Sequence, residues 1–82
     1  MSLILRIVSP EKIAFVGEVD NVVIPGASGE FEILSNHAPL ISSLEPGKVR
    51  YSLADGSRSE IEILGGFAEV QNNNVSLCVE LK

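Results

Sequence analysis

Apolar and polar residues alternate along most of this chain, and glycine and proline interrupt the alternation at short intervals. The alternation is clearest in residues 49–53, 60–63 and 75–81. A period of two is typical of a β-strand with one buried face, because successive side chains point to opposite sides of a sheet. No apolar stripe at helical spacing is long enough for a helix of ordinary length. The pattern therefore predicts an all-β fold.

Turn signals separate the apolar runs and indicate how the strands connect. They lie at residues 9–10, 16–17, 25–26, 46–47, 55–56, 65–66 and 72–74. Asp55 followed by Gly56, between alternating segments, predicts a β-hairpin. The pair Gly65 and Gly66 predicts a bulge or tight turn, with Phe67 anchored in the core. Many short strands with this punctuation favour a flattened β-sandwich or barrel.

Length and composition limit the classes of protein that the chain can belong to. Eighty-two residues, 45% of them hydrophobic, predict one folded domain over 1–82 with a modest core. The net charge of −5 and the scattered basic residues argue against nucleic acid as a partner. Cys78 is the single cysteine, so no intrachain disulfide can form. No apolar run is long enough to span a bilayer, and no leader pattern begins the chain, so we expect no direct membrane insertion.

The segment 25–40 combines two turns, an alternating strand and the only histidine, His37. Without further information, a single histidine before Ala38 and Pro39 is a turn or packing residue, and Glu30 and Glu32 lie on a solvated strand face. One histidine and one distant cysteine do not make a metal site. No nucleophile pattern or phosphate loop accompanies them. We therefore expect no catalytic residue, no metal and no cofactor.

The same segment nevertheless carries a resemblance that extends over the chain. Three elements in order resemble the ε subunits of bacterial rotary F-type ATP synthases: Pro25-Gly26-x-x-Gly29-Glu30-Phe31-x-Ile33-Leu34-x-x-His37-Ala38-Pro39-Leu40, then Pro46-Gly47, then Gly65-Gly66-Phe67-x-Glu69-Val70. The opening, from Leu5 to Val19, is also similar to that family. The resemblance implies a flattened β-sandwich of about ten short strands. It also implies a non-catalytic subunit of the central stalk, which couples proton translocation to ATP synthesis.

The family resemblance also implies partners and contact residues. We expect one surface to bind the γ subunit and one end to rest on the polar loops of the c-ring, which carry a basic residue, with the α and β subunits reached through γ. The expected c-ring contacts are Gly29, Glu30, Phe31 and Glu32. The expected γ contacts are His37, Ala38, Pro39 and Leu40. The expected location is the cytoplasmic face of the bacterial inner membrane, as a peripheral part of the complex.

Two further expectations concern regulation and the alternative function. Longer family members continue into two C-terminal helices that can obstruct rotation, whereas this chain ends at Lys82 after its last predicted strand. We therefore expect no helical hairpin and no braking of ATP hydrolysis by one. The alternative is a small acidic β-sandwich that binds a ligand or serves as an adaptor. A concave apolar pocket with convergent polar groups would favour the ligand-binding alternative.

Overall fold

Seven β-strands dominate the computed structural model, which describes residues 2–82; Met1, where the predicted domain 1–82 begins, lies outside the described residues. No described residue is helical. The strands are β1 (Leu3–Val8), β2 (Ile13–Gly26), β3 (Gly29–Ile33), β4 (Leu40–Leu44), β5 (Gly47–Leu53), β6 (Arg58–Gln71) and β7 (Asn74–Leu81). The all-β prediction is confirmed.

The two long strands, β2 and β6, connect the two layers of the sandwich. The first half of β2 pairs with β1, and its second half pairs with β5 and β3. The first half of β6 pairs with β5, and its second half pairs with β7 and β4. β1 and β7 are parallel and close the circuit β1–β2–β5–β6–β7, in which every other pair is antiparallel. This closed ladder is the predicted flattened β-sandwich.

The predicted count of about ten strands is wrong, because two expected turns lie inside continuous strands. Residues 16–17 belong to β2, and residues 65–66 belong to β6. At Gly66 a Cβ atom would overlap the carbonyl oxygen of Cys78 and lie 2.8 Å from Val79 Cα. Glycine at this position therefore lets β6 pass close to β7 without turning. The predicted bulge is present next to it, as a register shift between Ile63 and Gly65.

The core contains apolar side chains only. Sixteen of the described hydrophobic residues are buried, and Leu5, Ile24 and Leu77 are among those with no exposed surface. No described polar or charged side chain is buried. Along β7 the buried residues are Val75, Leu77 and Val79, as the alternation predicts. The two sheet layers therefore share one core, and their polar groups lie on the outer faces.

The β5–β6 hairpin confirms the turn predicted at Asp55 and Gly56. Gly56 has a φ of 90°, and its N–H donates to the Leu53 carbonyl oxygen at 3.0 Å. The hydroxyl and the backbone N–H of Ser57 both donate to Asp55 Oδ1, at 2.6 and 2.9 Å. These two hydrogen bonds stabilise the carboxylate and lower the pKa of Asp55.

Candidate interaction surfaces

The predicted c-ring contacts lie on β3 and at the β2–β3 turn. Gly29 has a φ of 120°, which favours glycine, and it pairs with Gly26 to close the turn. Glu30 and Glu32 are exposed on the outer face of the sheet, whereas Phe31 is half-buried against the core. The two acids thus share one face, as the period-two pattern predicts. The structure offers their carboxylates, rather than the Phe31 ring, to a partner.

Both acids already have partners within the chain. Glu30 Oε1 accepts a hydrogen bond from Arg50 Nη2 at 2.8 Å, and Glu32 Oε2 accepts one from Asn21 Nδ2 at 2.6 Å. The first contact reaches across β2, which lies between β3 and β5, and the second joins the adjacent strands β2 and β3. Two more ion pairs lie on this surface: Lys48–Glu60 at 3.3 Å joins β5 to β6, and Lys82–Glu62 at 3.2 Å joins the residue after β7 to β6. We call this outer surface, with its three ion pairs, the paired-charge face.

The predicted γ contacts lie beyond the other end of β3, in residues 34–39 and at the start of β4. The backbone N–H of His37 donates to the Leu34 carbonyl oxygen at 3.2 Å, and its Nδ1 lies 2.7 Å from the Ala38 carbonyl oxygen. Ala38 and Pro39 are exposed, whereas Leu40 is half-buried against the core. The β2–β3 turn and residues 34–39 are therefore separated by the length of β3, about 13 Å for five residues.

A third surface covers the outer side of the other sheet. Cross-strand register places Ile13, Val8, Cys78 and Phe67 in one row across β2, β1, β7 and β6. Ile41 on β4 and Val16 on β2 lie in the next row of the same face, at its two ends, with Glu69, Ser76 and Arg6 between them. Ile41 is 78% exposed and Phe67 is 63% exposed. We call this surface the apolar face and define it by Val8, Ile13, Val16, Ile41, Phe67 and Cys78.

The exposure of Phe67 contradicts its predicted role as a core anchor. Before the bulge, β6 points Ile61 and Ile63 inward, at odd positions. The extra residue between Ile63 and Gly65 shifts the alternation, so that Ala68 and Val70 point inward instead. Phe67 consequently lies on the outer face. The alternation of Phe67 and Glu69 with these two inward residues is the sequence signal that could have shown this orientation.

Metal-ligating side chains do not cluster among the described residues. They contain no group of three or more His, Cys, Asp or Glu side chains placed to hold a metal ion. Cys78 is a free, exposed thiol. Within residues 2–82 no helix is both long enough and apolar enough to cross a membrane.

Two surface concavities bear on the ligand-binding alternative. One lies on the paired-charge face and is lined by polar residues that include Asn21, Arg50 and Arg58. The other lies on the apolar face beside Gly66 and Phe67 and is lined mostly by apolar residues. Both concavities are open to solvent and no described polar side chain is buried, so neither is the enclosed site that a small molecule ordinarily occupies.

Comparison with known proteins gives consistent results at the levels of family and fold. The sequence model described as "ATP synthase, Delta/Epsilon chain, beta-sandwich domain" matches residues 2–81. The chain is 47% identical to the ATP synthase epsilon chain of Chlorobaculum tepidum and 49% identical to that of Chlorobium limicola. Each of these matches covers 93% of this chain and 86% of the relative.

A solved structure has the same fold. A chain in the cryo-EM structure of the Euglena gracilis mitochondrial ATP synthase, OSCP/F1/c-ring, superimposes with a TM-score of 0.90 at 24% identity. The match covers 95% of this chain and half of that chain. At this identity the likeness establishes the β-sandwich fold alone.

Proposed function

This chain belongs to the family of ATP synthase delta/epsilon chain β-sandwich domains, and we propose that it joins the γ subunit to the c-ring in the central stalk of an F-type ATP synthase. It is a rotor subunit and not a catalytic one. In this role it transmits the torque of proton translocation to the machinery that makes ATP. The observation that carries the proposal is the contrast between the apolar face and the paired-charge face of the sandwich.

The apolar face is the surface that we assign to γ. One row of its side chains is apolar across four strands, and Ile41 and Val16 lie at the two ends of the next row, so a partner can cover them with one broad contact. Burying one side chain of the size of Ile41 or Phe67 contributes about 1.5–3 kcal/mol. Pro39 lines the same concavity as Ile41 and Glu69, so the residues predicted to contact γ lie at the border of this face. We therefore extend the predicted γ contacts, His37 to Leu40, onto the apolar face.

The c-ring contact belongs to the β2–β3 turn and the outward side chains of β3. Glu30 and Glu32 are exposed, and a basic residue on the polar loops of the ring is a suitable electrostatic partner for them. Gly29 has no side chain, and no atom lies within 4 Å of the position of an added Cβ, so a loop can approach the backbone there. The distance between this turn and residues 37–39 lets one domain contact both partners with its opposite ends.

A comparison of free energies indicates that a single ion pair cannot carry the load between the ring and the stalk. One proton that crosses about 100 mV delivers roughly 2.3 kcal/mol, and several protons drive each ATP. One exposed ion pair contributes only about 0–1 kcal/mol. The load must therefore be shared over a broad packed surface, while Glu30 sets register and orientation at the ring rather than holding that joint alone. In this arrangement the α and β subunits are reached through γ, and the domain lies on the cytoplasmic side of a bacterial inner membrane as a peripheral subunit.

Affinity purification from native membranes tests this function. The tagged chain, expressed in its source cells and extracted with mild detergent, should recover γ and the c subunit together. A tagged variant with Ile41→Asp and Phe67→Asp is the matched control, because both changes lie on exposed positions of the apolar face. Recovery of γ by the wild type and its loss in the variant supports the proposal. Recovery of neither γ nor the c subunit by the wild type contradicts it and favours the adaptor or ligand-binding alternative.

A further inference from the structure

Asn73 connects three separate segments at one end of the sandwich. It lies in the β6–β7 turn with a φ of 61°, in the left-handed region. Its backbone carbonyl oxygen accepts a hydrogen bond from the N–H of Ile4 at 2.9 Å, which links the turn to β1. Its side chain points to a different element, the connection between β3 and β4. One residue thus joins the β6–β7 turn, the first strand and residues 34–39.

The side-chain link is a reciprocal amide pair with Asn36. Asn73 Oδ1 accepts a hydrogen bond from the backbone N–H of Asn36 at 2.6 Å. Asn73 Nδ2 donates to Asn36 Oδ1 at 3.2 Å. The two residues are 37 positions apart in the sequence. A side chain with both a donor and an acceptor on one planar group satisfies both bonds, and among small residues only asparagine provides it.

We propose that Asn73 is a positioning residue for residues 34–39, which it holds in the conformation that binds γ. This inference rests on the proposed function, because it takes Ala38 and Pro39 as γ contacts. Asn36 directly precedes His37 and has a φ of 65°. The direction of the backbone that enters the predicted γ contacts is therefore set at Asn36, the residue that Asn73 binds. The His37 N–H contact to Leu34 lies within the connection itself and cannot fix its direction relative to the sheets. The Asn73 amide provides one such connection to the rest of the domain.

Glycine substitution distinguishes the effect of the amide pair from the effect of the backbone conformation. Glycine adopts a positive φ without steric cost, so Asn73→Gly removes the side chain and keeps the turn. Asn72→Gly is the matched control, since Asn72 is the preceding residue of the same turn and has a φ of 51°. Its carbonyl oxygen accepts from Asn74 Nδ2 at 3.0 Å, and the substitution leaves that oxygen in place.

Two measurements on the full chain test the inference. Hydrogen exchange of the isolated domain should show residues 34–38 exchanging about 2- to 10-fold faster in Asn73→Gly, as expected for the loss of one or two net hydrogen bonds. The Kd for purified γ should rise by a similar factor. Asn72→Gly should leave both quantities unchanged.

The outcomes separate this inference from the proposed function. Unchanged exchange in Asn73→Gly overturns the positioning role, and so does faster exchange with an unchanged Kd for γ. Equal effects of Asn72→Gly and Asn73→Gly also overturn it. A wild-type chain that does not bind γ contradicts the proposed function, and the exchange comparison then still decides whether Asn73 positions residues 34–39.

Discussion

Glu30 Oε1 lies 2.8 Å from Arg50 Nη2, on the outer side of β2, which separates their two strands. The side chain of Glu30 is 48% exposed and that of Arg50 is 46% exposed, so water reaches the pair from one side. An ion pair in this setting contributes about 0–1 kcal/mol to the stability of the fold. Glu30 can therefore exchange Arg50 for a basic group of a partner at small cost.

Glu30→Gln should weaken energy coupling modestly without unfolding the domain. Glu62→Gln is the matched control, because Glu62 pairs with Lys82 at 3.2 Å on the same face but lies outside the β2–β3 turn. Each variant should change the free energy of unfolding by less than about 1 kcal/mol. ATP-driven proton pumping in reconstituted membranes should fall in Glu30→Gln only. Equal pumping in the two variants would show that Glu30 does not contribute to the contact with the ring.

Gly66→Ala should destabilise the domain by about 2–5 kcal/mol, from backbone strain and overpacking together. The φ of Gly66 is 150°, and an added Cβ would lie 2.8 Å from Val79 Cα. Gly56→Ala is the control for strain alone, because Gly56 has a φ of 90° and no atom within 4 Å of an added Cβ. Urea unfolding should show the larger loss at Gly66. A loss at Gly66 that does not exceed the loss at Gly56 would show that β6 and β7 are not in close contact there.

Asp55 should make stability depend on pH in the acid range. The hydroxyl of Ser57, and then its N–H, lower the pKa of Asp55 from its ordinary value of 3.8. A carboxyl whose pKa is depressed on folding stabilises the fold above pH 3.8, and this contribution is lost as the pH falls through the lower folded value. The free energy of unfolding should therefore decline less steeply below pH 4 in Asp55→Asn than in the wild type. Ser57→Ala, which removes the larger cause, should lie between them, and three parallel pH profiles would refute the assignment.

The parts of this structure that the sequence predicts are those that depend on neighbouring residues. Alternation over residues 75–81 identifies β7 and its buried side, and Asp55 with Gly56 identifies the β5–β6 hairpin, since both signals act within a few residues. The orientation of Phe67 was missed because one bulge residue reverses the alternation after Ile63. Phe67 therefore points outward, although it is the largest apolar residue close to Gly65 and Gly66.

The surfaces were harder to predict because they combine residues from distant parts of the chain. Asn73 and Asn36 are 37 positions apart, and Arg50 and Glu30 are 20 positions apart. Nothing local in the sequence pairs them, since the pairing follows from the order of strands in the sheets. The row of Ile13, Val8, Cys78 and Phe67 has the same origin, because four strands each supply one residue.

The affinity of purified γ for Phe67→Asp tests the central claim most directly. Phe67 is 63% exposed, so the substitution should leave the free energy of unfolding close to that of the wild type. Ser52→Asp adds the same charge to the paired-charge face, beside Arg58, and serves as the control. We predict that Phe67→Asp raises the Kd for γ at least about tenfold, the equivalent of 1.4 kcal/mol, while Ser52→Asp leaves it unchanged. An unchanged Kd in a folded Phe67→Asp, or an equal increase in Ser52→Asp, would contradict the assignment of the apolar face to γ.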